Sequence, residues 1–462
     1  MKLPNTLKAS SFVQKLQWVA DPIKYLDKAA EQHPDIFTGE VIGFGDTLVF
    51  VNHPKGIEEV FTNDRNKFAA LGEVNKTFEP IIGEYGMLML EGERHRRERQ
   101  LMMPSFHGKR MQSYAEIMRD QALNAFKKLP QGKPFSAHAA TMNISLEIIL
   151  EAVFGISKGE RYQEIKRRLL LMLHTVSSPL TASFLLFPAL QKDLGSWSPW
   201  GQFLRQRSSL DELIYAEISE RRQHPNPERI DILELLMSAV DEKGNGMSDK
   251  ELRDELVTML LAGHETTASA IAWAIYWIYQ LPQVRTKILK ELDSLGDNPD
   301  PMSIFRLPYL TAVCNETLRI CPVSMTTFPR VVQEPVKLLG HDLEPGTVVV
   351  ASIYLAHRRP DLYPNPEQFQ PERFLEGVFS PYEFIAFGAG ARRCIGEAFA
   401  MFEMKLVLAT ILLGYNMEFA GDRPEKLARH GGFNLAPANG VKMVITGQRS
   451  RSGMQANMMA EV

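Results

Sequence analysis

Between Ser248 and Pro282 the chain carries one uninterrupted helical pattern. Ser248 and Glu251 form a capping box, apolar residues then recur to Leu281, and Pro282 stops the pattern. About 33 residues at 1.5 Å each make a rod of roughly 50 Å, enough to cross a whole domain. Its middle reads LLAGHETTASA. At 100° per residue, Ala262, Gly263, Thr266, Thr267 and Ala270 share one face, and all are small. Met259 and Trp273 bound a stripe of about 13 Å. Such a notch either admits a neighbouring helix or receives a flat, wide ligand, and both readings stand at this point. His264 and Glu265 project away from it.

The rest of the pattern agrees with a mainly α fold carrying small β-sheets. Residues 110–320 read as helix after helix. TGEVIGFGDTLVFVNHP alternates around a Gly-Asp turn, which predicts a hairpin over about residues 38–53, and EPGTVVVASIYLAH and APANGVKMVITG supply further strands. We expect a single domain over residues 1–448. Residues 449–462, without an apolar period, are expected to be a disordered tail. A net charge of -3 argues against a nucleic-acid binder. No run approaches 18 apolar residues and the first residues lack a signal-peptide core, so the expectation is a cytoplasmic protein with no membrane span.

Only three cysteines occur, Cys314, Cys321 and Cys394, and no CxxC pair exists, which disfavours a disulfide scaffold or a thiolate zinc site. Cys394 stands apart because of its setting, FGAGARRCIG, directly before the apolar helix pattern that Gly414 ends. A cysteine at a helix N-terminus meets amide donors and a dipole that favour the thiolate. Gly388, Gly390 and Gly396 let the backbone pass close to something planar. Arg392 offers a fork suited to a carboxylate. A thiolate held rigidly in such a loop suits haem iron as an axial ligand.

Phe387-x-x-Gly390-x-Arg392-x-Cys394-x-Gly396 resembles the haem-binding signature of the cytochrome P450 family. Ala262-Gly263-His264-Glu265-Thr266-Thr267 resembles its oxygen-activation motif, Glu316-Thr317-Leu318-Arg319 its ExxR motif, and Pro371-Glu372-Arg373-Phe374 its PERF segment. ExxR alone is weak, but four motifs in the family's order are specific. The likeness extends loosely over nearly all of the chain and is strongest to bacterial, including cyanobacterial, members.

The resemblance implies a cytochrome P450 fold with haem b between the long helix and the cysteine loop. It makes Cys394 the proximal iron ligand, whose electron donation helps cleave the O–O bond of O2. Glu265 and Thr266 become the acid–alcohol pair. Thr266 would face the notch and hydrogen-bond oxygen, while Glu265, pointing towards solvent, would pass protons inwards. The plain alternative has Thr266 bonding back to its own helix. Ala262, Gly263, Phe387, Gly388 and Gly396 would lie against the haem. His95 and Arg99, at i and i+4 in EGERHRRERQL, resemble the family's propionate-binding pair, with His95 in place of the usual tryptophan. Arg330 and Arg392 would complete the propionate cations, whereas Arg94, Arg97 and Glu98 read as solvated surface charge. Glu316, Arg319 and Arg373 would form a buried ion-pair cluster that supports the haem loop.

A haem-thiolate monooxygenase inserting one oxygen atom into a C–H bond or alkene is the activity implied. With no reductase module appended, electrons are expected from a separate ferredoxin or flavodoxin, docked on the basic cluster Arg94–Arg99 with Lys109 and Arg110. The apolar segments 77–90, 171–190, VSMTTF (323–328) and FNLA (433–436) are expected to roof a pocket for an apolar small molecule, a fatty acid or terpenoid. The competing readings are a peroxide-using or hydroperoxide-rearranging enzyme of the same fold, a non-catalytic haem sensor, and a plain helical scaffold. Glu265-Thr266 argues against the first two, and the ordered motifs against the last.

Overall fold

The computed structural model describes residues 3–449 apart from 44, 107, 109, 157, 178–190, 227 and 431–433. Eight helices carry the argument: α1 (Ser11–Ala20), α2 (Gly92–Met102), α3 (Arg110–Lys127), α4 (Ala137–Phe154), α5 (Pro199–Gln223), α6 (Asp249–Gln280), α7 (Pro308–Ile320) and α8 (Glu397–Gly414). The long helix forms as its ends dictate. Ser248 caps α6 with both halves of the box in place, and Leu281 closes it before Pro282.

The main core gathers around α6, with α3, α4, α7 and α8 contributing buried Leu, Ile, Phe and Met. The α4–α6 seam also carries polar pairs, each satisfied across the two helices. Thr141 Oγ1 donates to Ala268 O at 2.9 Å, His138 Nε2 lies 3.1 Å from Ser269 Oγ, and Ser145 Oγ donates to Gly263 O at 3.3 Å. Among the described residues α4 alone has the length and apolarity of a membrane span, but 72% of it is buried inside the protein. It is a core helix.

The predicted hairpin is present, with Ile36–Glu40 antiparallel to Thr47–Val51. It begins a five-stranded sheet completed by Val348–Ala351, Arg330–Val332 and Phe68–Ala69, and this sheet has its own apolar layer. One strand interrupts the all-helical reading of residues 110–320. Pro134–Ser136 pairs with the C-terminal strand Lys442–Gln448, a long-range partnership with no local signal. Arg449, assigned by sequence to the tail, instead pairs with Asp293 at 2.6 Å. The remaining tail lies outside the described residues.

The expected buried cluster supports the loop region. Arg319 Nε and Nη2 meet Glu316 Oε2 and Oε1 at 2.6 and 2.8 Å, and Arg373 Nε lies 3.2 Å from Glu316 Oε1. Glu316 and Arg319 are wholly buried. The backbone amide of Gln370 donates to the same carboxylate at 2.8 Å, and Arg319 Nη1 donates to His357 O at 2.8 Å. Replacing Glu316 with Ala strands two guanidiniums in the interior. The expected loss is about 3–5 kcal/mol, read as a lower denaturant midpoint.

Candidate functional site

Residues 252–276 of α6 are buried without exception save at Leu261, Ala262, Gly263 and Thr266. A helix sealed on all sides thus opens at one place, where the small residues lie. The two readings of the stripe divide between its members. A Cβ on Gly263 would lie 3.0 Å from Ile149 of α4, so this glycine admits the neighbouring helix. Thr267 and Ala270 are buried in the core. Ala262 and Thr266 remain to face a ligand.

Thr266 takes the plain alternative in this structure, its Oγ1 donating to Ala262 O at 2.5 Å. Glu265 departs from expectation. It is only 9% exposed, so it does not point to solvent. That side of α6 is packed against the protein interior, which helical phase alone could not reveal. His264 beside it bonds Met142 O through Nε2 at 3.0 Å, and burial lowers its pKa.

The cysteine loop folds as its glycines require. Gly388 and Gly390 sit at φ +69° and +68°. Nothing lies within 4 Å of a Cβ built on Gly388, whereas one on Gly390 would meet Asp64 Oδ2 at 2.3 Å. The Cys394 amide donates to Phe387 O at 2.9 Å, across a 3-10 turn at Gly390–Arg392. Gly396 is the N-cap of α8. Cys314 and Cys321 are buried and Cys394 is exposed. That exposure is to a recess, since the protein around the sulfur is dense enough for burial to push its thiol up. The Gly396 amide, Arg99 and Arg393 pull the other way without prevailing. The helix N-terminus alone does not make this a thiolate at neutral pH. A bound cation would.

The propionate candidates converge. His95 is buried, and burial together with Arg392, Arg99, Arg330 and Arg65 drives its pKa down to about 3. The imidazole is therefore neutral. Burial also lowers the pKa of Arg99 and of Arg330, and takes Arg392 to about 10. The carboxylates that reach Arg330 and Arg392 are Asp64 and Glu91. Four guanidiniums against two carboxylates leave positive charge that two propionates would balance. Arg330 Nε, buried without a partner, is a donor left over for one of them. The donor set fits haem.

Arg392 itself does something else. Its fork grips backbone, donating to Met87 O at 2.6 Å, to Ala70 O at 3.0 Å and to Leu90 O. It clamps the cysteine loop to segment 70–90 and is not free to hold a carboxylate with both terminal nitrogens. Arg97 is a second correction. It bonds Asp241 Oδ2 at 2.7 Å, Gly246 O at 3.0 Å and the buried Glu98, tying α2 to the turn before α6. Glu98 is likewise not surface charge. Lys109 lies outside the described residues.

Two residues that sequence reasoning missed hold the loop. Asp64 accepts from the Ala391 amide at 2.7 Å and pairs with Arg330 at 3.4 Å. His357 Nε2 accepts from the Ile385 amide at 3.0 Å, and its ring stacks on Phe384. Neither stands in a motif, because each acts through residues distant in sequence.

The sequence pattern of the Cytochrome P450 family matches residues 4–442. The chain belongs to the cytochrome P450 family. A Mycobacterium tuberculosis cytochrome P450 135B1 is 34% identical over 429 residues, 92% of this chain and 88% of that protein. Cytochrome P450 138 of the same species is 32% identical over 96% of each. In fold, this P450 matches a retinoic acid-bound cyanobacterial CYP120A1 with TM-score 0.84 at 22% identity, covering 97% of this chain and 100% of the other. It also matches a cytochrome P450DA heme domain with TM-score 0.81 at 22% identity, over 98% and 99% of the chains. This P450 is accordingly a monooxygenase with cysteine-ligated haem iron, and it uses O2, a small-molecule substrate and electrons from a redox partner.

Gly390→Ala forces an alanine into the left-handed region, at about 1–2 kcal/mol, and against Asp64. It should purify with a clearly reduced haem-to-protein ratio, whereas Gly421→Ala, outside the loop and with nothing within 4 Å of the added Cβ, should not. Acid will also weaken the loop's support. Burial holds His357 at about 3, below its unfolded value near 6.5. Its contribution is complete above pH 6.5 and is lost as pH falls towards 3, at up to about 1.4 kcal/mol per pH unit. Unfolding midpoints measured between pH 7 and 5 should decline less steeply in His357→Gln.

Proposed function

We propose that Cys394 is the iron ligand of a monooxygenase that oxidises an apolar small molecule, and that Ala262 and Thr266 line the opposite wall of its oxygen site. The observation that carries this is the pairing of one accessible cysteine with one opening in an otherwise sealed central helix. Haem supplies the O2 chemistry when bound. The chain's own residues bind, orient and protonate around it. His95, as a neutral imidazole, donates one hydrogen bond to a propionate. Arg99 and Arg330 supply charge, and Arg392 positions the loop and the roof. Phe387, Gly388 and Gly396 would lie against the haem when it is bound.

Thr266 carries the one hydroxyl among the four residues of the opening. Turning from Ala262 O frees it to donate there. Glu265, behind it, carries the adjacent carboxyl. Because that side is buried, protons reach Thr266 through the protein interior and not directly from bulk water.

The substrate side is apolar. Phe78 and Phe328 meet edge to face at 6.3 Å, joining two of the expected walls, and the Leu435 amide donates to Val323 O at 2.7 Å, joining a third to the wall of residues 323–328. The second wall falls largely on residues 178–190, outside the described residues. Walls of this kind favour a fatty acid or terpenoid over a polyhydroxylated molecule. A ferredoxin- or flavodoxin-type donor fits Arg96, which is exposed and only loosely paired with Glu93 at 3.8 Å, whereas Arg97 is half-buried and held by Asp241 at 2.7 Å.

The reduced, carbon monoxide-treated protein should show a strongly red-shifted Soret band, and Cys394→Ala should lose it while still folding. Thr266→Ala should keep the band but lower product formation by about 10²-fold or more, with oxygen consumption diverted to peroxide. Retained coupling in that variant would remove Thr266 from the proton path.

A further inference from the structure

Helix α1 is oriented against its own apolar pattern. Its buried side holds Gln14 and Trp18. Its solvent side holds Phe12 at 76% exposure, Leu16 at 59%, Val19 at 53% and Val13 at 41%. At 100° per residue these four and exposed Ala20 fill an arc of about 120° that contains no polar residue.

The inversion is pinned. Gln14 Nε2 donates to Ala9 O at 2.8 Å, and its Oε1 accepts from Tyr25 OH and from the Glu40 amide, each at 3.0 Å. Trp18 Nε1 donates to Ile42 O at 3.2 Å, and its ring meets Tyr25 edge to face at 5.7 Å. Arg429 locks the same turn from the other end of the chain, donating to Trp18 O at 2.6 Å. The helix cannot roll to hide its apolar face without breaking these bonds.

We propose that this face is an interfacial anchor that seats the protein on an anionic lipid surface. Charge selects this occupant. Residues 1–30 hold five lysines and two aspartates, in a chain whose net charge is -3, and Lys8, Lys24 and Lys28 are exposed. An apolar arc accompanied by lysines is the pattern of a helix lying in a headgroup layer. Size argues against a second copy of the chain. Ten residues make a helix of about 15 Å, one face of which offers far less than the roughly 800 Å² per partner of a stable dimer.

The test is flotation of the full-length holoenzyme with vesicles of phosphatidylcholine, with and without phosphatidylglycerol. The native chain should float with the anionic vesicles and only weakly with the neutral ones. F12S/L16S should lower that partitioning by about tenfold, and K8Q/K24Q/K28Q should abolish the preference for phosphatidylglycerol. Both variants should keep an unchanged carbon monoxide spectrum, since none of these residues nears the haem loop. Failure of the native chain to float, or undiminished flotation of F12S/L16S, overturns the proposal. So does a sedimenting dimer that F12S/L16S converts to monomer, because the face then belongs to a second copy.

Discussion

Four guanidiniums brought to one place inside a protein are unstable company. Arg99, Arg330, Arg392 and Arg65 all act on His95, and two carboxylates reach the group. More positive charge gathers there than Asp64 and Glu91 neutralise, which favours an anion at the meeting point of the loop, α2 and the strand bearing Arg330. The propionates of the proposed haem site would supply that anion. The cofactor is then part of the charge balance of the fold as well as of the chemistry.

The elements read well from sequence are those whose signals are local. A capping box, an apolar period and a proline define α6 within its own residues, and the Gly-Asp turn does the same for the first hairpin. Glu316 and Arg319 share a helix face at i, i+3, Arg373 stands in its own short segment, and the structure adds the Gln370 amide and the His357 carbonyl around them. The Cys394 loop was legible because its glycines and its cysteine must be close in sequence to work.

What escaped was set by packing at a distance. Glu265 is correctly placed on the face away from the opening, but that face meets protein and not solvent. Arg392 has the geometry for a carboxylate and finds three carbonyls instead. Arg97 sits among surface charges in sequence, but Asp241 lies opposite it in space. Asp64 had no signal at all, because its two partners, Arg330 and the Ala391 amide, are more than two hundred residues away. The stripe of small residues was ambiguous for a sound reason, since Gly263 accommodates a helix while Ala262, one position earlier, faces the site.

The Arg392 clamp has a mechanical corollary. One side chain ties the loop carrying Cys394 to the carbonyls of Ala70, Met87 and Leu90, and residues 77–90 form part of the expected pocket roof. Floor and roof of the haem chamber are therefore not independent parts. The planar guanidinium of Arg392, two residues before Cys394, meets three carbonyls of segment 70–90 at once. The haem loop and the segment expected to roof the pocket are thus one mechanical unit, joined through the side chain of Arg392.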